Sequence, residues 1–209
     1  PACRTGCNLW YAGHRAMLTS RLRALADTMR FQSDPIGFKT LLEKNIEQHK
    51  QLAARNQLKP LIRLNVASDL CWLDIISNHT DCQFYDYTKV KSRFRDYLAG
   101  KLPSNYFLTY SASERSHGAT LRSYLRAGGN VAQVLDIDYY PSCGRIGAMP
   151  SEHRYHGEWF PVNDADKHDV CLPIVDGSGT IQGLRLKGDN AAKQRGRDSG
   201  FARKPMARM

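Results

Sequence analysis

The chain has 209 residues, of which 42% are hydrophobic and 24% charged, a composition typical of a soluble globular protein and unlike that of a wholly disordered one. No segment approaches the roughly 20 consecutive apolar residues of a membrane-spanning helix, and no charged-then-apolar leader opens the chain. We therefore expect a cytoplasmic protein with no membrane partner. The formal net charge is +10, and residues 185–209 contribute +6 of it through eight basic and two acidic side chains.

Two amphipathic helices are predicted first, forming a helical layer over residues 14–57. Leu18, Leu22, Leu25 and Met29 recur at the helical period and predict one apolar face. A second helix begins after Asp34, whose carboxylate suits a helix cap, and it ends before Pro60.

Four βα units are predicted over residues 61–138. Strand-like segments at 61–66, 83–88, 106–111 and 130–137 alternate with helix-like segments at 71–79, 90–99 and 119–127. This alternation predicts parallel strands, and thus an α/β fold in which the units form an open or partial (β/α) barrel. A complete eight-unit barrel needs about 250 residues, which is more than this chain offers.

The remaining segments complete a single domain that we expect to span residues 1–188. Residues 139–160 are rich in Gly and Pro and predict a long excursion. Residues 170–175 and 180–186 flank a Gly-containing turn, which predicts a hairpin over residues 169–187. Residues 189–209 are predicted to form a basic tail with too few apolar residues for a core.

Polar residues follow every predicted parallel strand, where ligands of βα architectures bind. Their acids suit acid–base catalysis or metal binding, and a lysine there suits a phosphate or carboxylate. The alternative for each single residue is a cap on the following helix. The candidate catalytic residues are Asp69, Lys89, Glu114 and Asp136, and the candidate substrate-binding residues are Asn65, Ser68, Tyr87, Ser111 and Ser113.

Three further groups of residues carry possible chemistry. His168 and Asp169 lie in an acidic segment and are candidate substrate-binding residues, with simple solvation as the alternative. Cys3 and Cys7 could hold zinc or an iron–sulfur cluster, in which case a third ligand could lie before Pro1; the alternatives are free thiols and, less favoured, a disulfide. The candidate nucleic-acid-binding residues of the tail are Lys193, Arg195, Arg197, Arg203 and Lys204.

Several segments together resemble the phage "gene product eighty-eight" family. They are the Cys3–Arg15 opening, residues 62–69 (IRLNVASD), 83–89 (QFYDYTK) and 107–113 (FLTYSAS), His168-Asp169, and the closing residues 183–188 (GLRLKG). The resemblance covers nearly the whole chain and implies a phage or prophage origin in a host cytoplasm. A weaker similarity links the cysteine opening and the βα units to radical S-adenosylmethionine barrels, from which Trp10 departs at the third cysteine position.

These observations lead to three functional hypotheses. The first is an enzyme with a strand-end polar pocket that acts on nucleic acid or nucleotides. The second is an iron–sulfur radical S-adenosylmethionine-type enzyme, and the third is a non-catalytic phage protein that binds a host factor. No phosphate-binding Walker loop, zinc-protease helix, serine-hydrolase elbow or dinucleotide-binding glycine motif is present, which argues against those reaction classes.

Overall fold

The computed structural model describes residues 17–66 and 68–206. Seven α-helices lie in this part of the chain: α1 (Leu18–Ser33), α2 (Pro35–Arg55), α3 (Leu73–Asn78), α4 (Lys91–Leu98), α5 (Gly118–Arg126), α6 (Pro173–Asp176) and α7 (Asn190–Asp198). The strands are β1 (Leu61–Ile62), β2 (Gln83–Thr88), β3 (Tyr106–Ser111), β4 (Asn130–Leu135), β5 (Tyr139–Tyr140), β6 (Arg145–Ile146), β7 (Glu152–Tyr155), β8 (Glu158–Asp164) and β9 (Ile181–Arg185).

Seven strands form one mostly parallel sheet in the order β1-β2-β3-β4-β9-β8-β7. Only β7 runs antiparallel to its neighbour, and β5 and β6 form a separate antiparallel pair. The predicted α/β class and the parallel βα units are therefore confirmed. Within the described residues the pairing leaves β1 and β7 as the two edges of an open sheet, so no barrel closure is observed.

The main core lies on one side of this sheet, beneath the helices that connect its strands. Alternate residues of β2, β3 and β4 point to the same side because side chains alternate along a strand. The side chains that meet there are almost fully buried and include Phe84, Leu108, Val131, Phe94 of α4 and Leu121 of α5. This packing fixes the position of the strand ends that carry the polar residues.

The apolar face predicted for the first helix does not enter the core. Leu18, Leu22, Leu25 and Met29 are between 56% and 69% exposed, although the helix itself forms as expected. Contact between α1 and the core runs instead through Phe31, whose ring meets that of Trp72 at 5.7 Å. Helical periodicity predicts an apolar face but does not specify what covers it.

The expected excursion over residues 139–160 is largely ordered. It contains the β5–β6 pair, a short 3-10 turn and β7, and β7 continues into an antiparallel hairpin with β8. The Gly and Pro residues that suggested a loop fall at the turns between these short strands. Gly157, for example, has a φ of 91° in the turn between β7 and β8.

The prediction of a hairpin over residues 169–187 is wrong. Pro173 begins the short helix α6. The Asp176 carboxylate at its end accepts the N–H of Leu172, the residue before the helix, at 2.9 Å. The chain then turns through Gly177 and Gly179, both with positive φ, and enters β9. β9 runs parallel to both β4 and β8, so the turn residues connect a helix to an inner strand rather than two paired strands.

The predicted basic tail also differs from the structure, because it packs onto β4. The Asp189 carboxylate caps α7 by accepting the Ala192 N–H at 2.7 Å. Phe201 and Ala202 are buried against Val134, so one aromatic ring is sufficient for a small second core. The backbone of Arg203 adds a bridge to β4, which supplies the hydrogen bonds that the sequence did not predict.

None of the helices formed by residues 17–66 and 68–206 has both the length and the apolar character needed to cross a membrane.

A buried histidine makes stability depend on pH. His153 is 2% exposed, and burial, with a smaller contribution from the Arg203 charge, lowers the pKa of its imidazole from 6.5 to about 4. The unfolded chain therefore binds a proton below about pH 6.5 that the folded chain takes up only near pH 4. The stability that this group contributes is complete above pH 6.5 and is lost as the pH falls.

We expect His153→Gln to remove this pH dependence while keeping an acceptor for the Met206 N–H. Between about pH 6.5 and pH 4 the unmodified chain should lose about 3 kcal/mol more unfolding free energy than the variant, at about 1.4 kcal/mol per pKa unit. Urea unfolding across this range measures the difference. Parallel pH profiles for the two proteins would contradict the assignment.

Candidate functional site

A buried carboxylate organises the chain just after β1. Asp86 is 2% exposed and accepts hydrogen bonds from the Asn65 backbone N–H at 2.8 Å, the Asn65 side-chain amide at 3.1 Å and the Tyr106 hydroxyl at 3.2 Å. Burial raises the pKa of this carboxyl although the three donors oppose the shift. The side-chain amide oxygen of Asn65 in turn accepts a hydrogen bond from Ser68 Oγ at 2.7 Å. Ser68 is thus engaged within the loop, and Asn65 connects the loop to Asp86 of β2.

Asp69 connects this loop to the end of β2. Its carboxylate accepts from Thr88 Oγ1 at 2.9 Å, from the Lys89 backbone N–H at 2.7 Å and from the Arg93 guanidinium at 2.6 Å. These three donors occupy a side chain that is only 28% exposed. Asp69 was predicted as a catalytic residue, and the structure places its carboxylate against the Lys89 backbone N–H and the Arg93 guanidinium.

Lys89 and Ser111 meet at the ends of two neighbouring parallel strands. Thr88 is paired with Tyr110, so the next residues along each strand, Lys89 and Ser111, lie side by side. The Lys89 ammonium donates to Ser111 Oγ. Because the Ser111 hydroxyl is neutral, this hydrogen bond does not neutralise the positive charge of Lys89.

Tyr87 lies on the same side of the sheet as Lys89, two residues earlier, and carries a cation on its ring. The Arg63 guanidinium carbon lies 4.6 Å from the ring centroid, and Arg63 Nη1 donates to both oxygens of Asp169, at 2.8 and 3.0 Å. Burial raises the pKa of the Tyr87 hydroxyl well above its usual range.

Residues 168–172 pack against this side of the sheet. Cys171 is buried, with its sulfur 2.9 Å from Thr109 Oγ1, and burial raises the pKa of its thiol to about 11. His168 lies just outside, with Nδ1 at 2.8 Å from the Val170 carbonyl oxygen and Nε2 at 3.8 Å from Asp176. This side of the sheet therefore brings together four of the predicted site residues. They are Tyr87 and Lys89 of the β2 end, Ser111 of β3, and Asp169 of the 168–172 segment.

Arg63 was missed by the sequence analysis. The available signal was its position between apolar residues in a predicted strand (Leu61-Ile62-Arg63-Leu64), because a cation there needs a specific partner.

Ser113, Glu114 and Asp136 are placed differently from the expectation. Ser113 is buried in the turn before α5, where its hydroxyl accepts the Arg115 N–H at 3.3 Å, and Glu114 belongs to the same turn.

Asp136 lies away from the ends of β2 and β3. Ser111 is level with Ala132 of β4, so Asp136 lies four residues farther along, about 13 Å at 3.3 Å per residue. Asp136 accepts from Arg197 Nε at 2.8 Å, which holds α7 against the end of β4. The strand ends are staggered rather than level.

The predicted nucleic-acid-binding residues are mostly engaged within the fold. Lys193 is 2% exposed and donates to the Tyr139 carbonyl oxygen at 2.8 Å, with its ammonium 3.3 Å from the Tyr140 ring centroid. Arg197 is paired with Asp136 as described, and the Arg203 guanidinium donates to the Ser116 carbonyl oxygen. Arg195 is half-buried in α7, and Lys204 is exposed.

The predicted metal ligands Cys3 and Cys7 lie outside the described residues. Within residues 17–66 and 68–206, no three His, Cys, Asp or Glu side chains are grouped so that they could hold a metal ion. The four cysteines in this part of the chain, Cys71, Cys82, Cys143 and Cys171, are free thiols.

A second polar cluster lies at the ends of β8 and β9, beside a cavity of about 470 Å³. Arg185, whose side chain is 6% exposed, donates to Asp164 at 2.6 and 2.8 Å and to Asp166 at 3.1 Å. The Asp164 and Arg185 pairing lowers the pKa of the Asp164 carboxyl. Since each charge is matched by a buried partner, this cluster fixes residues 164–167 to β9.

We expect Arg185→Met to lower the unfolding free energy by about 3 kcal/mol, because it removes the buried cation from Asp164, whereas Asp166 keeps its pair with Lys187 at 2.7 Å. Arg126→Met is the matched control: Arg126 is 60% exposed in its side chain and pairs with Glu158 at 2.7 Å, an exposed pair worth about 1 kcal/mol or less. Urea unfolding of both variants tests the difference, and equal losses would show that Arg185 is not a structural tie.

Comparison with known families gives a match to the model described as Gene product 88 over residues 1–205. Comparisons with curated proteins and with solved structures give no match. The match covers nearly the whole chain, including the cysteine opening and the 83–89 segment, and confirms the family resemblance. The chain belongs to the Gene product 88 family.

Proposed function

We propose that this phage protein is an enzyme acting on nucleic acid or nucleotides, and that it holds a phosphate group at the ends of β2 and β3 through Lys89. The observation that carries the proposal is the contact between the Lys89 ammonium and Ser111 Oγ at adjacent parallel strand ends. Ligands of parallel βα folds bind at this edge of the sheet.

The chemistry of the pair suits an anionic oxygen. Ser111 Oγ accepts its hydrogen bond from Lys89, so the hydroxyl hydrogen is available to donate to a ligand. Lys89 supplies a point charge with further donors on the same ammonium. The oxygens of one phosphate group can therefore accept hydrogen bonds from both the Lys89 ammonium and the Ser111 hydroxyl.

Asp69 supports this site as a positioning residue. By accepting both the Thr88 hydroxyl and the Lys89 backbone N–H, it fixes where the Lys89 side chain leaves the sheet. Its negative charge is directed to Arg93, which prevents Asp69 from pairing with the Lys89 ammonium. The net charge of +10 over the chain favours encounter with a polyanion.

The test is binding of a fluorescein-labelled single-stranded 12-nucleotide RNA, followed by fluorescence anisotropy at several salt concentrations. We expect Lys89→Ala to weaken binding about 5–10-fold at low salt and to reduce the slope of log K against log salt by about 0.7, the value for one contact on a single strand. Lys89→Arg should retain part of the affinity.

Lys91→Ala is the matched control, because Lys91 is an exposed lysine two residues away in the first turn of α4. It should leave the affinity and the salt slope close to those of the unmodified chain. If Lys89→Ala and Lys91→Ala have equal effects, only overall charge matters and the proposed site is rejected.

A further inference from the structure

We infer that the site takes a ligand with two neighbouring phosphate groups, and that Arg63 binds the second group once Asp169 has given way. The inference rests on the proposed function, since it assumes that Lys89 binds the first phosphate. The ligand class is a pyrophosphate-containing nucleotide or two successive phosphates of a nucleic-acid strand.

The Arg63 guanidinium is oriented for an anion but only partly used. Both hydrogen bonds to Asp169 leave from the same atom, Nη1, whereas a two-nitrogen fork is the stronger arrangement for a carboxylate or phosphate. Arg63 Nε is buried and has no hydrogen-bond partner among the described residues. The cation–π contact with the Tyr87 ring, 4.6 Å from the guanidinium carbon to the ring centroid, helps to position the group.

Asp169 is suited to act as a replaceable anion at this position. Its side chain is 75% exposed, whereas that of Arg63 is 18% exposed. An exposed carboxylate in such a pair adds little stability, about 0–1 kcal/mol. A phosphate carries more charge and more acceptor oxygens, so it competes favourably for the same guanidinium.

Two neighbouring positions along β2 favour a ligand with two phosphate groups. Tyr87, which carries Arg63 on its ring, and Lys89 are two residues apart on the same side of the sheet, so their Cα atoms are about 6.7 Å apart. The ring that carries the Arg63 guanidinium and the residue that carries the ammonium are therefore neighbouring positions on this side of β2. A single phosphate uses one of them, and a pair of linked phosphates uses both.

The experiment compares inorganic pyrophosphate with inorganic phosphate by isothermal titration calorimetry on the purified chain. We expect Asp169→Ala to tighten pyrophosphate binding about 3–5-fold and to change phosphate binding by less than about 2-fold, by removing a competitor at a contact worth up to about 1 kcal/mol. Arg63→Met should lower the affinity for pyrophosphate to that for phosphate.

The exposed pair Arg126 and Glu158 provides controls with the same charge changes at the opposite edge of the sheet. Glu158→Ala and Arg126→Met should leave the preference for pyrophosphate unchanged. If Glu158→Ala tightens pyrophosphate as much as Asp169→Ala does, the effect is one of overall charge and the inference is overturned.

The outcomes also separate the inference from the proposed function. If Lys89→Ala changes neither affinity, the proposed phosphate site itself fails. If Lys89→Ala weakens both ligands but Asp169→Ala leaves pyrophosphate binding unchanged, the first phosphate site stands and the role of Arg63 is rejected. Because Asp169 is exposed, its alanine variant keeps this test independent of any folding defect in Arg63→Met.

Discussion

The buried carboxylate of Asp86 is the constraint on which the polar edge of the sheet depends. A carboxyl group at this depth is costly unless its oxygens are satisfied, and two of the three hydrogen bonds that satisfy them come from Asn65. The chain that leaves β1 is therefore held against β2. That placement brings Asp69 to the end of β2, where its carboxylate accepts hydrogen bonds from the Lys89 backbone N–H and from Arg93. A residue outside the candidate site thus helps to determine where the candidate side chains lie.

The sequence was sufficient for the local elements and their alternation. Apolar strands such as residues 83–88 and 106–111 are separated by helices with well-placed glycines, and this spacing requires parallel pairing. It was not sufficient for residues 180–186, because alternation of side chains does not specify a strand's partner. Their pairing with β4 depends on the Asn130 and Asn163 amides, which bind the backbone and side chains around the preceding turn. Such contacts between distant segments leave no local pattern.

The candidate site was predictable to a similar extent. Lys89 and Ser111 follow from strand ends alone, since adjacent parallel strands place equivalent residues together. Asp136 was misplaced because the register between β3 and β4 sets how far each strand extends, and register is not visible in the residues themselves. The link between Arg63 and Asp169 joins residues 106 positions apart, and neither residue predicts the other. Charge in the C-terminal segment did not predict the burial of Lys193, because that burial depends on the tyrosines of β5.

The position of β9 has a consequence for synthesis of the chain on the ribosome. β9 is the last strand of the sheet to be made, yet it lies between β4 and β8. The β7–β8 hairpin emerges first and has no neighbour until β9 follows, while β4 presents a bare edge. At roughly 5–20 residues per second, these unpaired edges persist for about one to ten seconds. Slow translation between residues 165 and 180 would prolong that interval, and so favour aggregation of nascent chains without altering the finished fold.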